Sequence, residues 1–157
     1  MCESGKFYGT LIDPVLKRMR LHVALEIQAD QTVVDIACGT GAQVFELAKT
    51  ASKVIGIDYS DSMIQFAKKT AQNQKLSNVE FQIGDASNLC AVKNNSFDVA
   101  IMTMALHQFD PELHTPILDE MKRVANKIII VDYAVPLPNN YVGIGSRIVA
   151  PSSILLS

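Results

Sequence analysis

Cysteine is scarce in this sequence and poorly placed for pairing. The three cysteines, Cys2, Cys38 and Cys90, lie far apart and form no C-x-x-C pair. An odd number of scattered cysteines indicates neither a disulfide framework nor a zinc cluster. We therefore expect no metal site, and we expect the protein to reside in a reducing compartment, the cytoplasm.

Basic clusters and long apolar runs are also lacking. The net charge is −2 with a pI near 5.9, and no run of Lys and Arg is long enough to make the surface on which nucleic-acid binding depends. The densest basic group, Lys17, Arg18 and Arg20, is interpreted as a solvated helix face in preference to a phosphate-binding patch. The longest strongly apolar stretch, Ile128 to Val131, is far shorter than the ~20 residues of a membrane helix, and the N-terminus has no apolar signal region. We expect neither nucleic-acid binding nor membrane insertion.

The sequence does contain an alternation of strand-like and helical patterns. Its 157 residues are 48% hydrophobic, enough for one domain with its own core. Helical spacing occupies residues 6–30, strands and helices alternate through residues 31–135, and an irregular tail follows at 136–157. This organisation predicts a single α/β domain over residues 1–157, with a doubly wound, mostly parallel sheet and helices on both faces.

The stretch VVDIACGTG, residues 33–41, is the most informative in the chain. A strand-like run enters a turn of small residues and glycines, and an amphipathic helix pattern from Ala42 to Thr50 follows. A turn with almost no side chains lets a ligand lie against backbone N–H groups, and the start of a helix favours an anionic or polar group. Taken alone, the stretch fits either a tight connection of any α/β domain or a site for a nucleotide-like ligand.

Three aspartates lie at or just beyond the ends of successive predicted strands. Asp35 belongs to a buried strand, where a carboxylate is costly unless hydrogen-bonded, so we expect it to bond the N–H groups of the following turn, a ligand amine or both. Asp58 comes 17 positions after Gly41, at a strand tip where a carboxylate can accept two hydroxyl groups of a ribose. Asp85 follows the third strand and is either an acceptor for an exocyclic amine such as adenine N6 or an ordinary turn residue.

Two further side chains are candidates to face a substrate. His107 lies just beyond the predicted fourth strand, at the edge where open α/β sheets bind ligands, and it is either a substrate-facing or an ordinary surface histidine. Tyr8 lies beside Phe7 near the N-terminus, and this aromatic pair either folds over a ligand or simply packs.

Taken together, these motifs resemble those of the class I S-adenosylmethionine-dependent methyltransferases. The motifs are VVDIACGTG, the acidic strand tip in VIGIDYS, GDA after the third strand, FDVAIMTMALHQF and IIIVDY, and the likeness covers about residues 7–135. In that family the first motif is an acidic residue followed by spaced small residues, matched here by Asp35, Ala37, Gly39 and Gly41, with Ala37 in place of the more usual glycine. The resemblance implies a Rossmann-like fold, S-adenosylmethionine as the cofactor and a small-molecule methyl acceptor, as in quinone-biosynthesis C-methyltransferases.

The resemblance also implies a role for each site residue. The turn after the first strand would cradle the methionine part of the cofactor, Asp58 would take the ribose hydroxyls, and Tyr59 with Met63 would border the adenine. Asp85 with Ala86 would read the adenine amine, and residues 102–104 would pass beside the sulfonium. The expected cofactor-binding residues are therefore Asp35, Ala37, Gly39, Thr40, Gly41, Asp58, Tyr59, Met63, Asp85, Ala86, Met102, Thr103 and Met104. For an acceptor that must lose a proton, His107 is the first candidate for the catalytic base and Tyr8 the second.

The tail departs from the family pattern. Members of the family usually have two further strands that return as an antiparallel pair after the fifth, and residues 136–157 are too few for both. We expect strands six and seven to be shortened or absent, either in a minimal variant or in a truncated chain. An exposed edge of the fifth strand could then pair with a second copy in a homodimer.

Two other functions share some of these features. An NAD-dependent oxidoreductase would have the same turn and acidic strand tip, but its fingerprint needs a third glycine where this chain has Val44. A catalytically silent cofactor-binding module is the other alternative, favoured by the short tail.

Overall fold

The computed structural model describes residues 16–132 and the backbone of Arg147 and Ile148. Tyr8 and most of the tail at 136–157 lie outside these residues, so the predictions made for them stay predictions. Within the described ranges, no helix is long and apolar enough to cross a membrane.

One sheet forms the centre of the fold. Its strands are Thr32–Ile36 (β1), Lys53–Asp58 (β2), Val79–Ile83 (β3), Phe97–Thr103 (β4), Ala125–Val131 (β5) and Arg147–Ile148 (β6). They pair in the order β3-β2-β1-β4-β5-β6, and every pair is parallel. The chain runs outward from β1 to β3 and then crosses to the other side for β4 and β5, so the strand order reverses between β1 and β4. This confirms the predicted doubly wound, Rossmann-like sheet, whose ligand crevice is expected at the reversal.

Helices cover both faces of the sheet, as predicted. The described part of α1 is 16–25, and the other helices are Ala42–Leu47 (α2), Asp61–Asn73 (α3) and Pro111–Val124 (α4). Successive side chains of a strand point to opposite faces. Val34 and Ile36 accordingly belong to the core that packs under α4, whereas Val33 belongs to the core that packs under α1, α2 and α3. The near-continuous Val and Ile runs of the strands are explained by this burial on both faces.

The helix predicted to continue to Thr50 ends earlier, at Leu47. The next helix, α3, ends at Asn73 without a glycine. Just beyond it, Lys75 adopts a left-handed conformation with φ of 55°, and the Leu76 N–H donates to the Ala71 carbonyl at 3.1 Å. This closes the last turn of α3 in the way that a glycine usually does.

The edge of β5 is partly covered. The two-residue strand β6 pairs with β5 at Ile129 and Ile130, so a sixth strand is present in shortened form, as expected. Its pairing is parallel, which differs from the antiparallel return that the resemblance implied. A homodimer through the remaining edge of β5 stays a prediction.

Candidate functional site

A cavity of about 720 Å³ opens beside the point where the strand order reverses, a volume within the roughly 300–1,000 Å³ typical of small-molecule sites. Its walls come from the turns that follow β1, β2, β3 and β4, and from the inner face of α1. Parallel strands direct their carboxyl ends to the same edge of the sheet, which is why residues distant in sequence meet here. Ten of the predicted cofactor-binding residues line it: Ala37, Gly39, Thr40, Asp58, Tyr59, Met63, Asp85, Ala86, Thr103 and Met104.

The turn after β1 owes its shape to three residues with positive φ. These are Ala37 at 58°, Gly39 at 53° and Gly41 at 83°. The Cys38 N–H donates to the Ile57 carbonyl at 3.0 Å, and the Gly41 N–H donates to the Cys38 carbonyl at 3.0 Å. The turn is thus tied both to itself and to β2, and its small residues leave the cavity wall close to the backbone.

The two glycines of this turn give a matched test of why glycine is needed. A Cβ at Gly41 would lie 2.8 Å from Phe81 Cζ and 3.1 Å from Phe45 Cζ, whereas one at Gly39 would meet nothing within 4 Å. Both alanine variants are destabilised because a residue with a Cβ is strained at positive φ. We expect Gly41→Ala to lower the free energy of unfolding by about 1–2 kcal/mol more than Gly39→Ala, because it also overpacks against the Phe45–Phe81 pair. Urea unfolding measures the difference, and equal losses would show that the Phe81 ring moves aside.

Asp58, the last residue of β2, joins two parts of the site by hydrogen bonds. Its Oδ2 accepts the Gly39 N–H at 2.7 Å, and its Oδ1 accepts the Ser60 N–H at 2.8 Å. Ser60 in turn caps α3, with its Oγ accepting the Met63 N–H at 3.4 Å. An ionised carboxylate has about four lone-pair sites, so each oxygen of Asp58 keeps acceptor capacity for a ligand hydroxyl.

Asp35 does not make the bonds to the turn that were predicted for it. It is 1% exposed, and neither carboxyl oxygen has a hydrogen-bond partner among the described residues. The turn N–H of Gly39 goes to Asp58 instead. Burial, and then the negative charge of Asp58, raise the pKa of Asp35 to about 8. The side chain is therefore mostly a neutral carboxylic acid at pH 7, and it does not line the cavity. Its predicted bond to a ligand amine remains a prediction.

Cys38 lies in the same electrostatic environment. Burial is the main cause that raises the pKa of its thiol, and the nearby carboxyl groups of Asp35 and Asp58 add to the effect. The Cys38 side chain is therefore a protonated thiol, without the thiolate character that a nucleophile needs.

Asp85 makes the hydrogen bonds of a turn residue and also lines the cavity. Its Oδ1 accepts the backbone N–H and the hydroxyl of Ser87, at 2.8 and 2.7 Å, which is the geometry of a turn residue. The exposed side chain also lines the cavity beside Ala86. A contact with an adenine amine is compatible with this position and stays a prediction.

Two of the three predicted residues at the end of β4 line the cavity. Thr103 and Met104 line the cavity, and Met104 has a φ of 52° with its N–H bonded to the Val131 carbonyl. Met102 is fully buried in the core under α4. Met102 does not line the cavity, because its side chain shares a strand face with Ala100 and not with Thr103. Its predicted place beside the sulfonium stays a prediction.

His107 is paired with Asp132, which was not among the predicted site residues. Its Nδ1 lies 2.5 Å from Asp132 Oδ1, and its backbone N–H donates to Asp132 Oδ2 at 3.1 Å. The Asp132 side chain is 2% exposed and that of His107 is 33% exposed. His107 does not line the cavity, although Gln108 and Phe109, which follow it, do. An aspartate directly after the apolar run KIIIV was the signal that could have revealed this partner.

Gly41 does not line the cavity, whereas Arg20 and Gln43 are among the lining residues that were not predicted. Gly41 is buried and caps α2. Arg20 lines the cavity from α1, and Gln43 lines it from α2 while its Nε2 donates to the Arg20 carbonyl at 3.3 Å. Lys17 and Arg18 are exposed, as predicted, but Arg20 turns to the inner face together with Leu16 and Met19. Helical spacing of these three residues was the signal for Arg20.

Comparison with known proteins decides the family. The sequence profile of a family described as a methyltransferase domain matches residues 27–144. The chain belongs to this methyltransferase family. A solved structure of an S-adenosylmethionine-dependent methyltransferase from Methanosarcina mazei is 32% identical, with a TM-score of 0.61 over 68% of this chain and 52% of that one. The class I fold and the family's cofactor, S-adenosylmethionine, are thereby those that the resemblance implied.

The relatives of the methyltransferase domain act on different molecules. The demethylmenaquinone methyltransferase of Oceanobacillus iheyensis is 32% identical over 71% of this chain and 48% of its own length. The human tRNA (uracil-5-)-methyltransferase homolog A is 29% identical over 64% of this chain and 16% of its own length. The chain thus spans about half the length of the quinone relative, and the likeness to the RNA relative is confined to a small part of that enzyme.

The residues of the cavity fit S-adenosylmethionine. Asp58 offers acceptors for ribose hydroxyls, and Tyr59, Met63 and Ala86 offer a largely apolar wall for a flat base. Gln43 is 3% exposed, and its Oε1 has no hydrogen-bond partner among the described residues. A buried acceptor of this kind is costly when unpaired, and a ligand donor in the cavity would satisfy it.

Proposed function

We propose that this methyltransferase domain transfers a methyl group from S-adenosylmethionine to a small-molecule acceptor. The observation that carries the proposal is the cavity at the strand reversal, with Asp58 bridging the turn after β1 and the cap of α3. The cofactor supplies a methyl group on a positively charged sulfur, which is already a good electrophile. The protein has mainly to bind, orient and exclude water, and orientation alone can lower a barrier by several kcal/mol.

We assign each part of the cavity wall a role in binding the cofactor. The turn at Gly39 and Thr40 is proposed to cradle the methionine part, and Asp58 to bind the ribose. Asp85 and Ala86 are proposed to read the adenine edge. Thr103 and Met104 are proposed to form the wall where the reacting groups meet, and the partly buried Phe109, which also lines the cavity, is proposed to exclude water.

A small molecule is favoured over RNA as the acceptor. Among the described residues that line the cavity, Arg20 is the only positively charged side chain, whereas Asp58 and Asp85 are acidic. RNA binding depends on several phosphate contacts by Lys and Arg, and the net charge of the chain is −2. The likeness to a demethylmenaquinone methyltransferase over 48% of its length suggests a quinone-like ring as the first acceptor to test.

An acceptor screen tests the proposal. The chain is incubated with methyl-labelled S-adenosylmethionine and, in parallel, with reduced demethylmenaquinone, a set of small phenols and a uridine-containing RNA. We expect label in a small molecule. Label in RNA alone would refute the acceptor class. Binding of the cofactor product without any transfer would favour the silent cofactor-binding module.

We propose His107 as the base for an acceptor that must lose a proton, oriented by Asp132 through Nδ1. His107→Gln is expected to lower kcat by about 10²–10³-fold and to leave the affinity for S-adenosylhomocysteine unchanged. Kinetics with the acceptor found in the screen and calorimetry measure the two effects. His22→Gln, at an exposed position on α1, is the matched control. An unaltered kcat would leave Tyr8 as the remaining candidate.

Three further features are proposed on more general grounds. The free thiols of Cys38 and Cys90 suit a reducing compartment, so we retain the cytoplasm as the location. A single domain over residues 1–157 and a homodimer formed through the β5 edge are retained as proposals. Size-exclusion chromatography with light scattering tests the dimer, and a mass of one chain at micromolar concentration would refute it.

A further inference from the structure

The inner face of α1 contributes the only positive charge to the described cavity wall. Leu16, Met19 and Arg20 line the cavity from this helix. Arg20 is half-buried, whereas Arg18 on the same helix is exposed. Of the acidic lining residues, Asp58 is the last residue of β2 and Asp85 belongs to the turn after β3. Positive and negative charges therefore enter the cavity from different elements.

Gln43 adds a neutral polar group beside Arg20. Its side chain is 3% exposed and lines the cavity. The Nε2 donates to the Arg20 carbonyl at 3.3 Å, which fixes the amide against α1. The Oε1 has no partner among the described residues. A buried amide oxygen without a partner calls for a donor, and Gln43 is one of the residues that line the cavity.

We propose that Arg20 and Gln43 bind the amino-acid end of the cofactor. The Arg20 guanidinium donates to the α-carboxylate, and Gln43 Oε1 accepts a hydrogen bond from the α-ammonium. This inference rests on the proposed function, because it assigns residues to S-adenosylmethionine. A guanidinium can donate two parallel hydrogen bonds to a carboxylate, and an amide oxygen can accept a hydrogen bond from an ammonium group. The two carboxylates of the cavity are left for the adenosine part, which has hydroxyl and amine donors.

Two ligands that differ only at the amino-acid end show whether Arg20 and Gln43 bind that end or contribute to the affinity for any adenosine ligand. S-adenosylhomocysteine has the α-carboxylate and the α-ammonium, and 5′-methylthioadenosine lacks both. We expect Arg20→Gln to lower the affinity for S-adenosylhomocysteine by about 10–100-fold, the loss typical of charge-assisted hydrogen bonds. The same variant should bind 5′-methylthioadenosine as the wild type does, within about twofold.

Gln43→Leu provides the second variant, and Arg18→Gln the control. Leucine removes the Oε1 acceptor. We therefore expect the affinity for S-adenosylhomocysteine, but not that for 5′-methylthioadenosine, to fall by about 5–20-fold, as for the loss of one hydrogen bond to a charged group. Arg18→Gln removes a charge from the exposed face of α1 and should change neither affinity. The midpoint of thermal unfolding, measured for each variant, shows whether α1 remains packed.

The outcomes distinguish this inference from the proposed function. If Arg20→Gln lowered the affinity for both ligands equally, or lowered neither affinity, the inference would be overturned while the proposed function stayed in place. A wild-type chain that binds neither nucleoside would overturn the proposed function and the inference together. A selective loss of S-adenosylhomocysteine in both variants, with Arg18→Gln unchanged, would establish the role.

Discussion

Asp35→Asn is expected to become more stable relative to the wild type as the pH rises from 5 to 8. The pKa of Asp35 is raised to about 8 in the folded state by burial and by the charge of Asp58, whereas an aspartate in the unfolded chain has a pKa near 3.9. Between about pH 4 and pH 8 the folded state therefore binds the extra proton. Stability must fall with rising pH wherever the folded state binds more protons.

The size of this effect follows from the pH interval. The contribution of Asp35 is fully present below pH 4 and is lost as the pH rises through about 8. Each pH unit in that interval costs at most about 1.4 kcal/mol, so the stability of the wild type should fall by up to about 4 kcal/mol relative to Asp35→Asn between pH 5 and pH 8. Urea unfolding at several pH values gives the difference directly.

The exposed Asp30, just before β1, supplies the control. Asp30→Asn removes one negative charge from the surface without touching the buried group. A stability difference between Asp35→Asn and the wild type that stays constant with pH would show that Asp35 is ionised in the folded protein. That result would contradict the neutral carboxylic acid described here.

Asp58→Ala is expected to weaken the binding of S-adenosylhomocysteine by about 1.5–3 kcal/mol, as for the loss of charge-assisted hydrogen bonds. The alanine removes the proposed ribose acceptor. It also leaves the N–H groups of Gly39 and Ser60 without the carboxylate that now accepts them at 2.7 and 2.8 Å. The turn that cradles the methionine part would loosen at the same time.

Asp58→Asn separates these two effects. Asparagine keeps one oxygen acceptor and the shape of the side chain, so it should lose less affinity than alanine. Isothermal titration calorimetry measures both variants, and urea unfolding reports the damage to the turn. An affinity unchanged in Asp58→Ala would show that the ribose binds elsewhere.

The elements of the sheet could be predicted because their apolar patterns are strong. The runs VVDI, VIGI and KIIIV lie within β1, β2 and β5 almost as expected, since buried parallel strands require Val and Ile on both faces. The end of α3 could not be predicted, because Lys75 adopts positive φ where a glycine would have signalled it. The side-chain face of Met102 could have been read from the alternation within β4.

The site was predictable at the level of motifs and less so at the level of bonds. The positions of Asp58 and Asp85 follow from strand order, and both line the cavity. That Gly39 is bonded to Asp58 and not to Asp35 depends on how the ends of β1 and β2 align, which the sequence does not reveal. Arg20 was missed because it was grouped with its basic neighbours and not with the inner face of α1. Val44, where a dinucleotide fingerprint would need glycine, is fully buried in the core.

Calorimetric titration of the full chain with S-adenosylhomocysteine, and separately with NAD, tests whether the cavity is an S-adenosylmethionine site. We expect one molecule of S-adenosylhomocysteine to bind per chain with a micromolar or lower Kd, and we expect NAD to produce no binding heat. Absence of binding heat with S-adenosylhomocysteine at high micromolar concentration, or binding of NAD in its place, would contradict it.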